Sequence, residues 1–260
     1  MPSYYPESKV QISGFAARHY DALLDLATLG RYLPFIKKTV KLMKIEPEDR
    51  ILDLGTGTGR NACLMAKYLS EKGRLIGLDI SREMISQFKR KCAGFPNAKV
   101  IQARADQLLP FTQEFDKVFI SFVLHGFPQN VREGMIKVFF DALKVGGSLF
   151  ILDYNEFSYD EMPFYLKVPF KLIECPYAFD FIERDWKEIL INHHFADLEE
   201  FFFFGRYVRL LKAKKLAVHE KERLGVQRLE KKGVRLFFDK GKIEPALSKI
   251  ARKIQGGQSG

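Results

Sequence analysis

Short apolar runs alternate with longer amphipathic stretches between residues 50 and 154, and this alternation constrains the fold more than any other feature. Strands that alternate with helices of this length are typical of a parallel sheet with helices on both faces. With 260 residues, the chain is long enough to bury a substantial core. The pattern predicts five strands, at 51–54, 74–79, 98–102, 115–122 and 148–153.

Two further segments flank this alternating unit. Residues 15–46 predict one or two helices, and residues 198–215 predict two strands joined tightly at Gly205-Arg206. A hairpin after a series of parallel strands places one antiparallel strand near an edge of the sheet. The sequence therefore predicts an α/β fold with a doubly wound, seven-stranded sheet that is mostly parallel and has an antiparallel terminal hairpin.

We expect three regions along the chain: a helical cap over 1–47, a main domain over 48–215 and a basic extension over 216–260. Within the main domain, residues 154–185 are rich in aromatic residues, contain three prolines and have no clear period. This composition predicts an irregular lid over the ligand crevice. The aromatic residues suit an apolar or aromatic ligand, or they form a small core within the lid itself.

The positive charge lies almost entirely at the end of the chain. Sixteen Lys or Arg and five Asp or Glu stand between Arg206 and Lys253, whereas the chain as a whole carries +10. Such asymmetry indicates an anionic partner, either a membrane surface or nucleic acid, or else a solvated helical face. Residues 244–254 have the spacing of a basic amphipathic helix, which could lie on a bilayer or dock on the main domain or a second subunit. The oligomeric state is left open.

The cysteines and the apolar runs bear on location. No apolar run reaches 18 residues and the first residues lack the pattern of a secretory signal, so neither a membrane span nor export is expected. Cys63, Cys92 and Cys175 are scattered without metal-ligand spacing. They predict isolated core thiols in a reducing compartment, with no metal site, and hence a cytoplasmic protein.

A glycine-rich loop follows the first strand. Gly55, Gly57 and Gly59 stand between this strand and a helix, where glycine lets the backbone turn sharply and approach a ligand closely. Asp53 lies inside the strand beside the loop. Its carboxylate would repel a pyrophosphate but suits a ligand with an ammonium or sulfonium charge.

Two other nucleotide-binding loops fit this segment less well. Gly57-x-Gly59-x-x-Ala62 matches the dinucleotide pattern, but the match starts two residues late relative to the strand end. A kinase-type phosphate-binding loop ends in Gly-Lys followed by Ser or Thr. Thr58 and Arg60 do not match this pattern, so a loop of that type is excluded.

Acidic residues also follow the second and third strands. Asp79 ends the second strand, where a carboxylate can accept both hydroxyls of a ribose. Asp106 follows the third strand, and it either accepts from an adenine amino group or caps a helix. Because the carboxyl ends of parallel strands meet in one crevice, we expect Asp53, Asp79 and Asp106 to converge on one ligand.

From about residue 48 to residue 215, the chain resembles class I S-adenosylmethionine-dependent methyltransferases, which have a Rossmann-like fold. The resemblance rests on Ile-Leu-Asp53-Leu-Gly-Thr-Gly-Thr-Gly, Gly-Leu-Asp79-Ile-Ser-Arg-Glu-Met, Ala105-Asp106, Phe-Asp-Lys-Val-Phe-Ile-Ser121 and Leu-Lys-Val-Gly-Gly-Ser-Leu. It implies S-adenosylmethionine as the cofactor. The residues that it implies for cofactor binding are Asp53, Gly55, Thr56, Gly57 and Gly59 at the methionine part, Asp79 at the ribose, Ile80, Ala105 and Asp106 at the adenine, and Ser121 and Phe122 beside the methyl group.

A narrower resemblance concerns residues 15–21 and the long segment after the fifth strand. These look like the quinone-biosynthesis C-methyltransferases, and also like small-molecule and phospholipid methyltransferases. The chain departs from the quinone enzymes after the fourth strand, where they have Gly-Leu-Arg-Asn and this chain has Phe122-Val-Leu-His-Gly-Phe. The acceptor type therefore stays open.

Methyl transfer from a sulfonium is an in-line displacement, which needs orientation and a desolvated site, with a base only where the nucleophile carries a proton. His125 follows the fourth strand and is the candidate base, or else a structural histidine. Tyr20 and His19, on the N-terminal helix, could cover the cofactor and touch the acceptor, or simply pack an amphipathic helix on the domain.

The sequence thus predicts a methyltransferase acting on a small acceptor that is apolar or aromatic, quinone-like or lipid-like. Two alternatives of other classes remain. One is an RNA methyltransferase that holds nucleic acid through residues 216–260, and the other is a cofactor-binding module without catalysis.

Overall fold

A seven-stranded mixed sheet forms the centre of the structure, a computed structural model that describes residues 14–217 together with Tyr5, Glu7, Ser8 and Ile12. The strand order is β3-β2-β1-β4-β5-β7-β6. The strands are β1 (Arg50–Leu54), β2 (Arg74–Asp79), β3 (Ala98–Gln102), β4 (Phe115–Ser121), β5 (Leu143–Tyr154), β6 (Phe195–Phe203) and β7 (Val208–Lys215). Strands β1 to β5 pair in parallel, and β7 is antiparallel to both β5 and β6. The predicted fold class is confirmed.

Helices cover both faces of the sheet, which is why consecutive residues are buried in the central strands, at 51–54 in β1 and at 118–120 in β4. Ser81 caps the start of α5, since its hydroxyl accepts from the Met84 amide at 3.4 Å. The helices are α1 (Gly14–Arg18), α2 (Tyr20–Ala27), α3 (Tyr32–Leu42), α4 (Arg60–Ala66), α5 (Arg82–Lys91), α6 (Gln129–Ala142), α7 (Phe164–Ile173), α8 (Pro176–Ile182) and α9 (Trp186–Asn192).

Strands β1 and β4 are neighbours in the sheet although they are not consecutive in the chain. The crossovers from β1 run in one direction and those from β4 in the other, so a crevice opens between their carboxyl ends. The residues that follow β1, β2 and β4 surround this crevice.

The N-terminal segment and the lid both contain more helix than the sequence predicted. Residues 15–46 form three helices where one or two were expected. The irregular lid expected over 154–185 instead contains α7 and α8. Pro163 is the residue before α7 and Pro176 is the first residue of α8. Proline is favoured at a helix start, so these two prolines begin the helices and do not break them.

The prediction of three isolated thiols is wrong for two of them. Cys63 on α4 and Cys92 at the end of α5 form a disulfide, with their Cα atoms 5.4 Å apart. The packing of α4 beside α5 brings them together, which spacing along the chain did not reveal. Cys175 is free and buried, as expected. The cysteines therefore no longer support a reducing compartment.

The predicted amphipathic helix at 244–254 and nearly all of the basic extension at 216–260 lie outside the described residues. No helix in the described part of the chain is long and apolar enough to cross a membrane.

Candidate functional site

A cavity of about 500 Å³ occupies the crevice at the carboxyl ends of the strands. It is lined by the glycine loop, by the residues that follow β2, β3 and β4, and by parts of α2, α3 and the lid. Nine of the predicted cofactor residues line it together: Gly55, Thr56, Gly57, Asp79, Ile80, Ala105, Asp106, Ser121 and Phe122. Asp53 and Gly59 are not among the lining residues.

The three glycines of the loop have different environments. Each has a positive φ, a backbone conformation that residues other than glycine rarely adopt. A Cβ atom on Gly55 would lie 2.5 Å from the Val123 side chain, and one on Gly59 would lie 2.7 Å from the Phe88 ring. A Cβ atom on Gly57 would meet nothing closer than 4.0 Å. Gly55 and Gly59 therefore permit close packing behind the loop, whereas Gly57 has open space around it.

Asp53 lies beneath the loop and does not face the cavity. Its carboxylate accepts the Thr56 hydroxyl at 2.6 Å, and the residue is only 1% exposed. Burial raises the pKa of Asp53 to about 7, although the hydrogen bond from Thr56 opposes this. The direct contact between Asp53 and a cationic ligand that the sequence suggested is replaced by an indirect one, in which Asp53 fixes Thr56.

Asp79 holds the loop and also faces the cavity. One carboxylate oxygen accepts the Gly57 amide and the other accepts the Ser81 amide, both at 2.8 Å. Burial raises the pKa of Asp79, while these backbone hydrogen bonds oppose the shift. Each oxygen keeps a further lone pair, so the carboxylate can also accept hydroxyl donors from a ligand.

Asp106 lies at the end of the cavity nearest β3. It accepts the Arg104 Nε at 2.9 Å and the Tyr5 hydroxyl at 2.7 Å. Burial raises the pKa of Asp106, but these hydrogen bonds outweigh burial and leave the pKa lowered, so the carboxylate is ionised. No helix begins after Asp106 in this described segment, and the helix-cap alternative is therefore not realised.

Asn61, in the first turn of α4, has an unsatisfied oxygen beside the loop. Its Oδ1 is buried without a hydrogen-bond partner among the described residues, and the side chain lines the cavity. A buried acceptor of this kind is suited to a donor supplied by a ligand, such as an ammonium group. The sequence did not single out Asn61, although this residue lies in α4, the helix that directly follows the glycine loop.

A cluster of hydrogen-bonded ionisable groups occupies the opposite part of the cavity. His125 Nδ1 lies 2.7 Å from Asp153 Oδ1, and its Nε2 lies 3.3 Å from Glu174 Oε2. The Tyr154 hydroxyl donates to the other oxygen of Glu174 at 2.6 Å. His125, Tyr154 and Glu174 line the cavity, and Asp153 lies directly behind His125.

The protonation state of His125 follows from this cluster. Burial lowers the pKa of His125, but the charges and hydrogen bonds of Asp153 and Glu174 outweigh burial and raise it to about 10. The ring is therefore an imidazolium at neutral pH, which can donate a hydrogen bond but has no free lone pair for a proton. The role of a general base, which the sequence suggested for His125, needs the neutral ring.

Arg132 on α6 fixes the segment that carries His125. Its guanidinium donates to the backbone oxygens of Leu124 at 3.2 Å and His125 at 3.0 Å. It also donates to the Tyr177 backbone oxygen and to Asp180 on α8. The residue is fully buried. One side chain thus joins the turn after β4 to the second helix of the lid.

The N-terminal helices cover the glycine loop. The Thr58 hydroxyl donates to Asp21 at 2.8 Å, and Arg60 binds both oxygens of Asp25 at 2.7 and 2.6 Å. Tyr20 lines the cavity, and burial raises its pKa, so the phenol is neutral. His19 is not a lining residue, and its ring packs on Phe15 with the centroids 4.4 Å apart. The packing alternative therefore applies to His19, while Tyr20 faces the ligand space.

Comparison with known proteins identifies the family of the domain that forms this site. The model of a methyltransferase domain matches residues 51–147, which include the glycine loop, Asp79, Asp106 and the His125 segment. The chain carries a class I S-adenosylmethionine-dependent methyltransferase domain. The cofactor of this domain is S-adenosylmethionine, and the described cavity fits it, since Asn61 Oδ1 and Asp79 offer acceptors and Gly57 leaves open space.

Curated relatives of this methyltransferase domain include quinone enzymes. A ubiquinone/menaquinone biosynthesis C-methyltransferase of Wigglesworthia glossinidia brevipalpis is 30% identical over 141 residues, which are 53% of this chain and 55% of the relative. A demethylmenaquinone methyltransferase of Lactobacillus johnsonii is 34% identical over 143 residues, which are 54% of this chain and 58% of the relative. The chain thus spans just over half the length of these relatives.

Solved structures agree on the fold of the methyltransferase domain. An S-adenosylmethionine-dependent methyltransferase from Aquifex aeolicus has a TM-score of 0.54 and 19% identity, with 70% of this chain and 89% of that chain covered. The CurJ carbon methyltransferase has a TM-score of 0.59 and 14% identity, with 78% of this chain and 60% of that chain covered.

Among the described residues, no group of three or more His, Cys, Asp or Glu is placed to hold a metal.

Proposed function

We propose that this protein transfers the methyl group of S-adenosylmethionine to a ring carbon of an apolar, phenolic acceptor of the quinol type. One observation carries this proposal: a single cavity joins the polar residues of the glycine loop to an apolar chamber that contains the carboxylate of Glu174. The apolar side is lined by Leu24, Phe35, Phe122, Val123, Phe127, Tyr154, Ile173 and Phe204. An apolar wall with a few placed polar groups is typical of a small-molecule site.

The cofactor contacts are part of the proposal. Gly57, Asn61 and Asp79 would hold the methionine and ribose parts, and the segment from Ala103 to Asp106 would hold the adenine, with Ile80 against the ring. When bound, S-adenosylmethionine supplies a methyl group on a positively charged sulfur, which is a good leaving group. Ser121 and Phe122, at the end of β4, would lie beside this methyl group, and Tyr20 would cover it from α2.

Ring carbons of a phenol become strong nucleophiles when the hydroxyl loses its proton, so a proton acceptor is needed at the acceptor's hydroxyl. The site favours Glu174 over His125 for this role, because His125 is already protonated and bound to two carboxylates. His125 and Tyr154 then act as positioning residues, because they hold the two oxygens of Glu174 toward the chamber. The positive charge of His125 also stabilises a phenolate formed nearby.

Names of the relatives support the acceptor class. By name, one relative is a ubiquinone/menaquinone biosynthesis C-methyltransferase and another is a demethylmenaquinone methyltransferase, and each is similar to just over half of this chain. The departure from the quinone enzymes after β4, at the segment that carries His125, leaves the ring substituents of the acceptor to experiment. No observation among the described residues favours RNA as the acceptor, and partners bound through residues 216–260 stay a prediction, as does a cytoplasmic location.

Three measurements test this function. Isothermal calorimetry on the full chain should show binding of S-adenosylmethionine, and transfer of a labelled methyl group should occur to reduced demethylated quinones but not to their oxidised forms. Mass spectrometry of the product should locate the new methyl group on a ring carbon. Transfer to RNA alone, or to an acceptor oxygen, would refute the quinol assignment. Cofactor binding with no transfer to any acceptor would favour the binding-module alternative.

A further inference from the structure

Helix α7 in the lid is unusual because it is apolar and yet almost wholly exposed. Only Phe170 of its ten residues is buried. The exposed fraction of Phe164 is 79%, that of Val168 is 55% and that of Leu172 is 72%. The helix contains two lysines and no acidic residue. A water-facing helix normally turns its apolar residues inward, so this composition indicates that α7 contacts an apolar environment outside the domain.

Two turns elsewhere in the chain also expose large apolar side chains. Leu26 at the end of α2 is 74% exposed, and Leu29 in the following turn is 79% exposed. Phe204, between β6 and β7, is 51% exposed. Leu29 and Phe204 both have a positive φ, which is costly for residues with a side chain and is typical of functional sites. The geometry of neither turn requires an apolar residue. Glycine would adopt the same positive φ with less backbone strain.

These three segments meet at the opening of the cavity. Thr28, Ile173 and Phe204 line the same cavity, and they come from the α2–α3 turn, the end of α7 and the β6–β7 turn respectively. Ile173 is 65% exposed and Phe204 is 51% exposed although both line the cavity. Lining residues that are this exposed must lie where the cavity opens to solvent. We call the exposed apolar residues on the three segments that reach this opening the mouth rim: Leu26, Leu29, Phe164, Val168, Leu172 and Phe204.

Positive charges lie beside the mouth rim. Lys167 and Lys171 are on α7 itself. Lys38 lies 5.6 Å from the Phe203 ring, and Arg206 lies 3.7 Å from the Phe202 ring, on the hairpin that carries Phe204. The carboxylates nearest in sequence are Asp25, which binds Arg60, Glu174 inside the cavity, Asp160, which lies 3.8 Å from Lys167, and the exposed Glu161. Lys171, Lys38 and Arg206 therefore supply most of the positive charge beside the rim. An exposed apolar patch flanked by lysine and arginine matches the chemistry of an anionic bilayer surface.

We propose that the mouth rim docks on an anionic lipid bilayer, so that the cavity opens directly into the membrane. This inference rests on the proposed function, because an apolar acceptor dissolved in the bilayer could then enter the chamber without crossing water. The surface differs from the basic extension at 216–260, for which the sequence suggested membrane association. Here the contact is made by the catalytic domain itself, and it sets the orientation of the cavity.

The test is co-sedimentation of the full chain with vesicles of equal parts phosphatidylglycerol and phosphatidylcholine. The double variant Phe164→Glu, Val168→Glu should reduce the partition coefficient at least tenfold. Val145→Glu is the matched control, because Val145 is 51% exposed at the start of β5, whose other end reaches the cavity. This control should partition within twofold of the wild type. Vesicles of phosphatidylcholine alone should bind the wild type at least fivefold more weakly, because the lysines then lose their partners.

The outcomes separate this inference from the proposed function. None of the substituted residues lines the cavity, so cofactor affinity and methylation of a water-soluble quinol without vesicles should be unchanged in the double variant. Equal vesicle binding by the wild type and the double variant overturns the docking surface and assigns binding to the basic extension. A double variant that turns a wild-type dimer into a monomer also overturns it, in favour of a second copy. Failure of all quinol methylation, with vesicle binding still lost in the double variant, refutes the proposed acceptor and leaves the docking surface standing.

Discussion

The two sides of the cavity are built in different ways. The cofactor side consists of short loops that directly follow β1, β2 and β3, and it contains contacts between residues two or three apart, as between Asp79 and Ser81 and between Asp53 and Thr56. On the acceptor side, side chains from the β4–α6 turn, the end of β5 and the lid form a buried ionic cluster. His125 and its partner Asp153 are 28 residues apart. The cofactor side is therefore specified by local motifs, and the acceptor side by tertiary packing.

This difference shows where the chain can vary. A local loop that approaches a common cofactor tolerates little change, because its glycines and carboxylates all serve one ligand. A cluster assembled from distant segments can be altered one segment at a time, since each contributes one group. We expect substitutions on the cofactor side to affect folding and cofactor binding together, and those on the acceptor side to affect turnover without changing cofactor binding.

The largest effect is expected within the glycine loop itself. Gly59→Ala should lower the free energy of unfolding by about 3–5 kcal/mol, because the new Cβ atom meets the Phe88 ring in a left-handed backbone. Gly57→Ala is the matched control, since it has the same sign of φ but open space, and should cost about 1–2 kcal/mol. Urea denaturation measures both. Equal losses in the two variants would mean that backbone conformation alone, and not packing against Phe88, makes glycine necessary.

On the acceptor side, Glu174→Gln should reduce the turnover number by about a hundredfold, because the amide cannot accept the proton of the acceptor's hydroxyl. Cofactor affinity should not change, since Glu174 lies away from the glycine loop's contacts. Glu161→Gln, an exposed lid residue, is the control and should retain full turnover. Single-turnover kinetics measures the methyl-transfer step directly. A Glu174→Gln variant with normal turnover would remove Glu174 from the mechanism.

The ionic cluster should also make the free energy of unfolding decrease as the pH rises into the alkaline range. The pKa of His125 is raised from 6.5 to about 10, so its stabilising effect is fully present below about pH 6.5 and is lost as the pH rises through 10. Between pH 8 and pH 11 the wild type should lose at least about 1 kcal/mol more of its unfolding free energy than His125→Gln does. Urea denaturation at each pH gives the comparison. Parallel curves for the two proteins would show that His125 is not held protonated.

The smallest effect is expected on cofactor affinity at Asp53. It tests whether this residue binds the cofactor directly or only supports the glycine loop. Asp53→Asn keeps an oxygen for the Thr56 hydroxyl and should change cofactor affinity by less than about threefold. Asp53→Ala removes that oxygen and should weaken affinity by about tenfold, or about 1.4 kcal/mol. Calorimetry with S-adenosylmethionine decides between the two roles. A large loss in Asp53→Asn would show that the negative charge itself binds the cofactor.

Most of the sheet could be predicted from the sequence because its signals are local. β2 and β3 were predicted with the bounds that the structure gives them, and β1 and β4 to within one residue at one end. The structure extends β5 back to Leu143, well before the predicted start at residue 148. The helices of the lid were missed because proline signals were taken as breaks, whereas Pro163 and Pro176 stand at helix starts.

The candidate site divides in the same way. Nine of the residues predicted at the cofactor loops line the cavity, because each signal lies near a strand end, whereas Asp53 and Gly59 do not line it and Asn61 was not singled out. Their roles toward the cofactor stay predictions. Glu174 gave no signal of its own, since it is one of several acidic residues in the lid and becomes significant only when folding brings it to His125. The Cys63–Cys92 disulfide depends on how α4 packs beside α5, which the spacing of 29 residues does not reveal.

The buried Arg132 acts on the acceptor side without lining the cavity. It bonds α8 to the turn that carries His125. Glu174 follows α7, and only Cys175 separates it from α8. Because Arg132 fixes α8 on this turn, it also fixes the chain segment that brings Glu174 to His125. A residue outside the chamber thus sets the spacing of the two charged groups within it.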